Sequence, residues 1–398
     1  MVRTNFLLVF IFLMHCFGGL ASDDFSFKEE EVKSRLELLD QDVIDIDLEN
    51  QVIHGYIHGY VVKNRKNSEQ ILGRTATYFP LFEQKLTQAG LPSELKFLAV
   101  VESALNPQAI SPVGAGGLWQ FMPETGKEFG LSINANVDER MDPVKSTDAA
   151  IKYLSLLYEK YGDWALVLAA YNSGAGRVNY AIKRSKSRDF WKLKKYLPRE
   201  TRNYVPAFIA AMYLFQFQSS YGLRPKATKI DLQIVDNVEV KSFISFFRIA
   251  QITGVSLSVI RQLNPGYRRD FIPENKAGNF VTLPARVCAK MRHYLIAIDN
   301  GEKVDFTAPA FLQKKEPKEV HYNYSIYLLS EGESLKEFAA SIGYSVSQLM
   351  AWNETLSYFK NEHREVRVYR SNAWIEAQPK PIKMPDVEVL PRLEFGVF

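Results

Sequence analysis

Glu102 is the residue of this chain whose surroundings point most directly to chemistry. It lies near the end of an almost wholly apolar run, residues 95–103 (LKFLAVVES). Burial disfavours the charged form of a carboxyl group and raises its pKa, which suits a side chain that must donate a proton near neutral pH. Glu102 is therefore a candidate general acid. The competing interpretation is a helix end, where the carboxylate reaches water and only caps or pairs with a neighbouring group.

Three further motifs follow Glu102. A glycine-rich loop, residues 114–117 (GAGG), leads into residues 118–123 (LWQFMP); residues 169–176 (AAYNSGAG) end a helical segment; residues 197–206 (LPRETRNYVP) come last. No Lys-Ser/Thr pair follows the glycines, so a phosphate-binding loop is disfavoured. Close approach of the backbone to a ligand explains the glycines better.

Taken singly, the side chains in these motifs also have purely structural explanations. They are Trp119, Phe121 and Tyr171 as core aromatics, Asn172 as a helix cap, and Glu200 with Arg202 as a solvated face. Only their combination favours a functional site.

Helical periodicity dominates from about residue 52 to residue 221, which predicts a compact all-helical domain. Pro92 fits the first turn of the helix that carries Glu102, and Asn106-Pro107 marks its end, because a residue that precedes proline is pushed out of the α region. Glu102 is thus expected in the last turn, beside a loop. Residues 22–50 carry acidic patches and are expected to form a loosely packed lead-in.

After Pro225 the chain changes to short β-rich stretches and contains a weak repeat. Gly254 and Leu263-Asn264 fall opposite Gly343 and Trp352-Asn353 at an offset of 89 residues. Strand-like segments flank each copy, at residues 232–235 and 280–283 and at residues 324–327 and 366–369. Each copy is therefore predicted to be a module with the order strand, helix, helix, strand.

The N-terminus predicts export. Arg3 precedes an apolar stretch, residues 6–17, and small residues lead to Ala21, where cleavage of a signal peptide is expected. An uncleaved membrane anchor and lipidation at Cys16 are the alternatives. After cleavage Cys288 is the only cysteine, so no intramolecular disulfide is expected.

Composition and histidine spacing exclude other classes of function. The net charge of +4 over 398 residues gives no case for nucleic acid, although it suits an anionic polymer. His54 and His58 have the spacing of a helical metal pair but no third ligand nearby, so no metal is expected.

In chain order, the motifs resemble the catalytic signature of lytic murein transglycosylases of the soluble-lytic-transglycosylase superfamily. The matching residues are Glu102-Ser103, Gly117-Leu118-Trp119-Gln120, Ala170-Tyr171-Asn172 and Tyr204. The resemblance covers about residues 72–221 and is closest to the membrane-bound lytic murein transglycosylase D type, because Trp119 stands where many relatives have Met and similar modules follow. The two C-terminal copies resemble LysM modules, which bind glycans that contain N-acetylglucosamine.

The resemblance implies an all-α, lysozyme-like (goose-type) catalytic domain followed by two small α+β LysM-like modules. The expected divisions are a signal peptide (1–21), a lead-in with the first helix (22–70), the catalytic domain (71–222), a first module (228–290), a linker (306–320), a second module (321–372) and an extended tail (373–398). It also implies a bacterial periplasm or cell envelope, with possible association with the membrane through the N-terminus.

The implied substrate is the peptidoglycan bond between N-acetylmuramic acid and N-acetylglucosamine. In such enzymes the acid, here Glu102, protonates the glycosidic oxygen and then, as a carboxylate, takes the proton of the sugar's C6 hydroxyl, which closes an anhydro ring. The substrate's acetamide assists, so neither water nor a second carboxylate is needed, and no metal or organic cofactor is implied.

The resemblance also implies roles for the surrounding residues. Ser103 orients the acid or the substrate, Gln120 and Asn172 bond to sugar amides or hydroxyls, Tyr171 and Tyr204 shape the cleft, Trp119 stacks on a sugar face, Met122 contacts substrate, and Glu200 supports Tyr204 or forms a local ion pair.

Two other functions stay open at the level of the sequence. A hydrolytic lysozyme would need Asp163, Glu124 or Glu128 to face Glu102 across the cleft. A non-catalytic wall-binding protein would use the helical domain only as a scaffold for the glycan-binding modules.

Overall fold

The computed structural model describes residues 27–39, 43–226, 228–302, 322, 324–329, 332–353, 356 and 365–369. The expected signal peptide, Cys16, the linker and the tail lie outside these residues. No helix in the described ranges is both long enough and apolar enough to span a membrane.

The N-terminal part is helical, as the periodicity predicts. Its helices are α1 (Glu29–Leu36), α2 (Gln51–His58), α3 (Arg65–Gln88), α4 (Phe97–Ser103), α5 (Pro123–Glu128), α6 (Pro143–Tyr161), α7 (Trp164–Ser173), α8 (Ala175–Ser185), α9 (Phe190–Leu193) and α10 (Arg199–Phe217). Capping residues determine where two of these helices begin. Asp142 and Asp163 accept hydrogen bonds from first-turn amides of α6 and α7, and Pro143 is the first residue of α6.

The helix that carries Glu102 is bounded as expected, with one refinement. A 3₁₀ turn, Ser93–Lys96, follows Pro92 and continues into α4. The helix ends at Ser103, and both Ala104 and Leu105 take positive φ before Asn106-Pro107. Glu102 therefore lies one residue from the end of a short helix, next to a loop.

The central element of the helical core is α10. From Tyr204 to Phe217 every residue of this helix is buried, and it packs against α2, α4 and α7. Burial on all sides is what an apolar helix without a polar stripe requires. Tyr204 is consequently held in the middle of the core, directly against the helix that carries Glu102.

The expectation of a loosely packed lead-in is wrong for the described part of residues 22–50. Val32 and Leu36 of α1 are fully buried in the main core, and Leu39, Ile44 and Ile46 join them. The acidic residues of α1 lie in its first turn, where a helix N-terminus stabilises negative charge. The charge pattern thus marks an amphipathic helix with acidic residues in its first turn.

The first module is formed by β1 (Val235–Val240), β2 (Ile244–Ser245), α11 (Phe246–Thr253), α12 (Leu257–Leu263), β3 (Phe271–Ile272), β4 (Asn279–Pro284) and α13 (Ala285–Asp299). The second is formed by β5 (Tyr324–Leu328), α14 (Leu335–Ser341), α15 (Val346–Trp352) and β6 (Glu365–Tyr369). In both, the outer strands pair antiparallel, with Val238 opposite Val281 and Ile326 opposite Arg367.

The repeated asparagine explains why the two copies fold alike. Asn264 donates its amide to the carbonyls of Ile260 and Thr282 and accepts from the Thr282 amide. Asn353 makes the equivalent bonds to Leu349 and Arg367. Each asparagine therefore ties the end of the second helix to the last strand of its module.

One predicted strand is misplaced. Residues 232–235 were expected to be extended, but Ile230–Leu232 is a 3₁₀ turn and β1 begins only at Val235. The side chains of Gln233 and Ile234 pack on the second module, where Gln233 accepts a hydrogen bond from the Trp352 indole. Their apolar pattern reflects contact between modules.

Candidate active site

The carboxyl group of Glu102 is buried at the base of an open cleft. The residue is 6% exposed and lies among the residues that line a cavity of about 580 Å³. Tyr56 and Tyr60 form one wall, the segment from Ala109 to Pro112 forms the other, and residues 100–104 form the floor. Among the described residues that line this cleft, Glu102 is the only acidic one.

Tyr204 holds one oxygen of this carboxyl group. Its hydroxyl donates to Oε1 of Glu102, and both side chains are buried. Within the described structure the other oxygen, Oε2, is buried without a hydrogen-bond partner. The site thus fixes the orientation of the acid and leaves Oε2 for a ligand.

The environment keeps Glu102 protonated at neutral pH. Desolvation raises its pKa to about 8, the Tyr204 hydrogen bond works in the opposite direction, and the charge of Glu200 raises the pKa further. Burial and the nearby Glu102 also raise the pKa values of Tyr171 and Tyr204 well above the ordinary value, so both phenols stay neutral.

Ser103 and Gln120 join the floor of the cleft to the glycine-rich loop. The Ser103 hydroxyl lies 3.0 Å from the carbonyl oxygens of both Ala99 and Leu118. Gln120, which has a φ of +48°, donates its side-chain amide to Gly117 and Ala109. Both residues line the cleft, as expected for side chains that contact a substrate.

Tyr171 supports this loop from behind. Its hydroxyl donates to the Trp119 carbonyl at 2.7 Å, and its ring packs against Tyr153. Because Trp119 directly precedes Gln120, Tyr171 fixes the backbone on which the cleft-lining amide stands.

The stacking role predicted for Trp119 is wrong. The side chain is completely buried, its indole donates to the Thr147 hydroxyl at 3.0 Å, and its ring packs against Phe82. A face that lies inside the core cannot receive a sugar. Trp119 instead anchors the loop between α3 and α6.

Asn172 likewise lies behind the cleft surface. It is 3% exposed, and its Oδ1 accepts from the Thr201 hydroxyl at 2.8 Å. The bond joins the end of α7 to the first turn of α10, the helix that carries Tyr204. The Nδ2 atom of Asn172 has no hydrogen-bond partner within the described residues, so a direct contact with a sugar stays a prediction beside this positioning role.

Met122 and Glu200 are not among the residues that line the cleft. Met122 caps the start of α5, where its carbonyl accepts from the Gly126 amide. Glu200 lies one turn before Tyr204 on α10, and its charge raises the pKa values of Glu102, Tyr204 and Tyr56. Glu200 is thus an electrostatic neighbour of the acid.

No motif in the sequence pointed to Tyr56 and Tyr60 as residues of the cleft wall. Tyr56 lies on α2, and Tyr60 lies on the five-residue π-helix, Gly59–Lys63, that follows it. Such π segments are frequent at functional sites.

The two histidines with the spacing of a metal pair have structural roles. His54 is buried and bonded to the Leu48 carbonyl, while His58 packs edge-on against Phe27. In the part of the chain that the structure describes, no group of side chains could hold a metal ion.

The carboxylates that a hydrolytic mechanism would need lie elsewhere. Asp163 caps α7, and Glu124 is exposed on α5, where it pairs with Lys127. Asp163, Glu124 and Glu128 are not among the residues that line the cleft. Among the described residues, the cleft therefore offers one buried acid and no opposing carboxylate of the kind that paired mechanisms require.

Family profiles match three parts of the chain. They are the transglycosylase SLT domain at residues 79–194, the LysM-like domain of lytic transglycosylase MltD at residues 234–300, and the LysM domain at residues 327–357. The expected fold class is thereby confirmed: a helical, lysozyme-like SLT domain precedes two small α+β LysM-like regions.

Curated relatives carry related names. The membrane-bound lytic murein transglycosylase D of Escherichia coli K12 is 31% identical over 298 residues, which are 74% of this chain and 63% of that protein. The chain thus spans less than two thirds of this relative. The soluble lytic murein transglycosylase of the same organism is 33% identical over 141 residues, 33% of this chain and 22% of that one.

Among solved structures, the 70-kDa soluble lytic transglycosylase of E. coli is 30% identical with a TM-score of 0.31, covering 37% of this chain and 25% of that one. Its complex with bulgecin A is 29% identical with a TM-score of 0.33, covering 39% and 26%. The chain thus combines a transglycosylase SLT domain with an MltD-type LysM-like domain and a LysM domain, and over 298 residues it is similar to the membrane-bound lytic murein transglycosylase D of E. coli.

Proposed function

We propose that this protein is a peptidoglycan lytic transglycosylase that cleaves the bond between N-acetylmuramic acid and N-acetylglucosamine without water and leaves an anhydro-muramic product. The observation that carries the proposal is Glu102, a single carboxyl group in the cleft lining, buried and protonated at neutral pH. The SLT-domain match and the names of the relatives support the same activity.

Glu102 acts first as an acid. Tyr204 occupies Oε1, so the proton is carried on Oε2, which has no protein partner within the described residues. Its transfer to the glycosidic oxygen lets the bond to C1 of the muramic sugar break, and the acetamide carbonyl of that sugar stabilises the positive charge at C1. The departing N-acetylglucosamine leaves with the proton.

Glu102 then acts as a base. The carboxylate removes the proton of the C6 hydroxyl, and O6 forms the new bond to C1. The acid is regenerated and no atom is added, so the two products together have the mass of the substrate. An intramolecular hydroxyl is held at a high effective concentration, which is why the cleft needs no water-activating second carboxylate.

Other residues of the site support these steps. Ser103 and Gln120 line the cleft and contact the substrate, Tyr171 and Asn172 fix the backbone and helix that hold the reacting groups, and Glu200 tunes the acid. The wall partner is the glycan strand, and the site of action is the cell envelope. The name of the membrane-bound relative and the apolar N-terminus support association with the membrane.

A second groove extends the cleft and suits a long glycan. It has a volume of about 890 Å³, lies between α3 and residues of both modules, and shares Arg74 and Asn106 with the cleft. Two acidic residues in its lining are paired with cations, Glu83 with Lys96 at 2.7 Å and Asp236 with Arg292 at 2.5 Å.

The rest of this groove is rich in neutral amides and hydroxyls, including the exposed side chains of Gln84, Gln88 and Gln262. Neutral hydrogen-bonding groups match the hydroxyls and acetamides of a sugar chain. We therefore place a further segment of the strand in this groove.

Glu102→Gln should abolish release of anhydro-muropeptides from purified sacculi, because an amide cannot donate the proton or later accept one. General acid catalysis contributes about 10²- to 10⁴-fold, so the loss should be at least that large. Mass spectrometry of the digest provides the measurement, with Glu124→Gln as the exposed control. Continued anhydro-product formation by Glu102→Gln would contradict the role of Glu102; a product heavier by one water from the wild type would indicate hydrolysis.

The same substitution should stabilise the fold at high pH. The folded pKa of Glu102, about 8, lies above its ordinary value of 4.5, so between these values the folded state holds a proton that the unfolded state has lost. The contribution of Glu102 to the free energy of unfolding therefore falls as the pH rises from 4.5 to about 8. The difference in melting temperature, Glu102→Gln minus wild type, should grow as the pH is raised from acidic values to above pH 8. A difference that does not vary with pH would show that Glu102 is not buried in its neutral form.

Tyr204→Phe should move the alkaline limb of the pH-rate profile to higher pH. The hydrogen bond from the Tyr204 hydroxyl lowers the pKa of Glu102, whereas burial and the charge of Glu200 raise it. Without the hydroxyl, the pKa of Glu102 therefore rises further. The acid then stays protonated further into the alkaline range, while turnover falls because the orientation of the carboxyl group is lost. Initial rates across pH test this, with Tyr180→Phe on the exposed side of α8 as the control. An unmoved limb would exclude Tyr204 as a tuning group.

Gln84→Ala combined with Gln262→Ala should raise KM for long glycan strands and leave KM for short muropeptides unchanged. Both amides line the second groove, and neither is among the residues that line the cleft at Glu102. Gln51→Ala, on the exposed start of α2, is the matched control. Equal effects on long and short substrates would place the strand elsewhere.

A further inference from the structure

The loop between α5 and α6 joins the helical domain to the first module by backbone pairing. Val137 and Tyr267 form an antiparallel bridge, the Asp138 amide donates to Gly266 at 2.8 Å, and the Arg268 amide donates to Asn136 at 2.9 Å. The module therefore extends the edge of a catalytic-domain loop.

A buried carboxylate lies at the centre of this junction. The Asp138 side chain is 3% exposed and accepts two bonds from Arg140, both at 2.9 Å, and a third from Arg268 of the first module at 2.7 Å. Burial alone would raise the pKa of Asp138, but the two guanidinium groups outweigh it and hold the pKa below its ordinary value. Asp138 is thus ionised and shared between the two domains.

Arg140 connects this junction to the loop from Gly114 to Phe121. Its Nη1 donates to the carbonyl of Gly114 at 2.6 Å and to that of Phe121 at 3.1 Å. These residues lie on either side of Gln120 and Gly117, so Arg140 closes the base of the loop. At Gly117 a Cβ atom would lie 1.7 Å from the Arg140 carbonyl oxygen, so the two segments are in close contact.

The loop needs such a clamp because it holds an unfavourable conformation. Gln120 has a positive φ, which is unfavourable for a non-glycine residue and persists only where the surroundings enforce it. The carbonyls of Leu118 and Trp119 on the same loop accept from Ser103 and Tyr171. A shift of the loop would therefore move several groups around Glu102.

We propose that the first module is a positioning element of the active site, and that Arg268 is its positioning residue, acting through Asp138 and Arg140 on the loop from Gly114 to Phe121. This inference rests on the proposed function for its kinetic consequence, but its structural consequence does not depend on it. The module contributes to turnover as well as to wall binding.

The test compares Arg268→Ala and Arg268→Glu with Arg269→Ala, the exposed neighbouring arginine, in the full chain. On short soluble muropeptides we expect kcat to fall about threefold or more for Arg268→Ala, and further for Arg268→Glu, which places a second carboxylate beside Asp138, while KM changes little. Arg268→Lys should restore part of kcat, since it keeps the charge but not the planar guanidinium.

Hydrogen exchange measured by mass spectrometry gives a readout independent of activity. Peptides that cover residues 109–122 should exchange faster in both Arg268 variants, while peptides from α10 and all peptides of Arg269→Ala should match the wild type. Unchanged exchange at residues 109–122, or faster exchange spread across the helical domain, would overturn the inference. A wild type that forms no anhydro product would refute the proposed function and leave the exchange result as the test of the junction.

Discussion

The contact between Glu102 and Tyr204 is the constraint on which the arrangement of the helical domain depends. A carboxyl group can be buried in an apolar core only if it is neutral or well bonded, and here both conditions hold: it is protonated at neutral pH and accepts from a phenol. Tyr204 reaches this carboxyl group because α10, which carries it, is buried on every side from Tyr204 to Phe217. The helix that passes through the core is therefore also the one that orients the acid.

The second constraint is the loop that follows the acid in the sequence. Its backbone carbonyls are bonded on one side by Ser103 and Tyr171 and on the other by Arg140, so the strained residue Gln120 stands in a fully connected polar network. Buried networks of this kind are rigid when every member is satisfied. Rigidity in this loop matters because it holds the cleft wall at a fixed distance from Glu102.

The sequence predicted what local pattern can encode. An isolated acid in an apolar helix, a proline that ends that helix, and an asparagine repeated at an offset of 89 residues all have local causes, and the structure shows each at work. Trp119 was misjudged because the chemistry of an indole is the same on a sugar and in a core; only its partner Thr147, 28 residues away, decides. Tyr56 and Tyr60 were missed because they precede Glu102 by many residues, on α2 and the π-helix that follows it, and only tertiary packing brings them to the cleft.

The balance of charges around Glu102 follows from its double task. An acid must hold its proton at the working pH, which favours a high pKa, but a lower pKa makes it the stronger donor. Its conjugate base takes a proton from a hydroxyl more readily when the pKa is high. Desolvation and Glu200 push the pKa upward, and the Tyr204 hydrogen bond restrains it near 8. A pKa close to the working pH is the compromise that serves both transfers. The opposing effects of Glu200 and Tyr204, one turn apart on α10, therefore form a single tuning device carried by one helix.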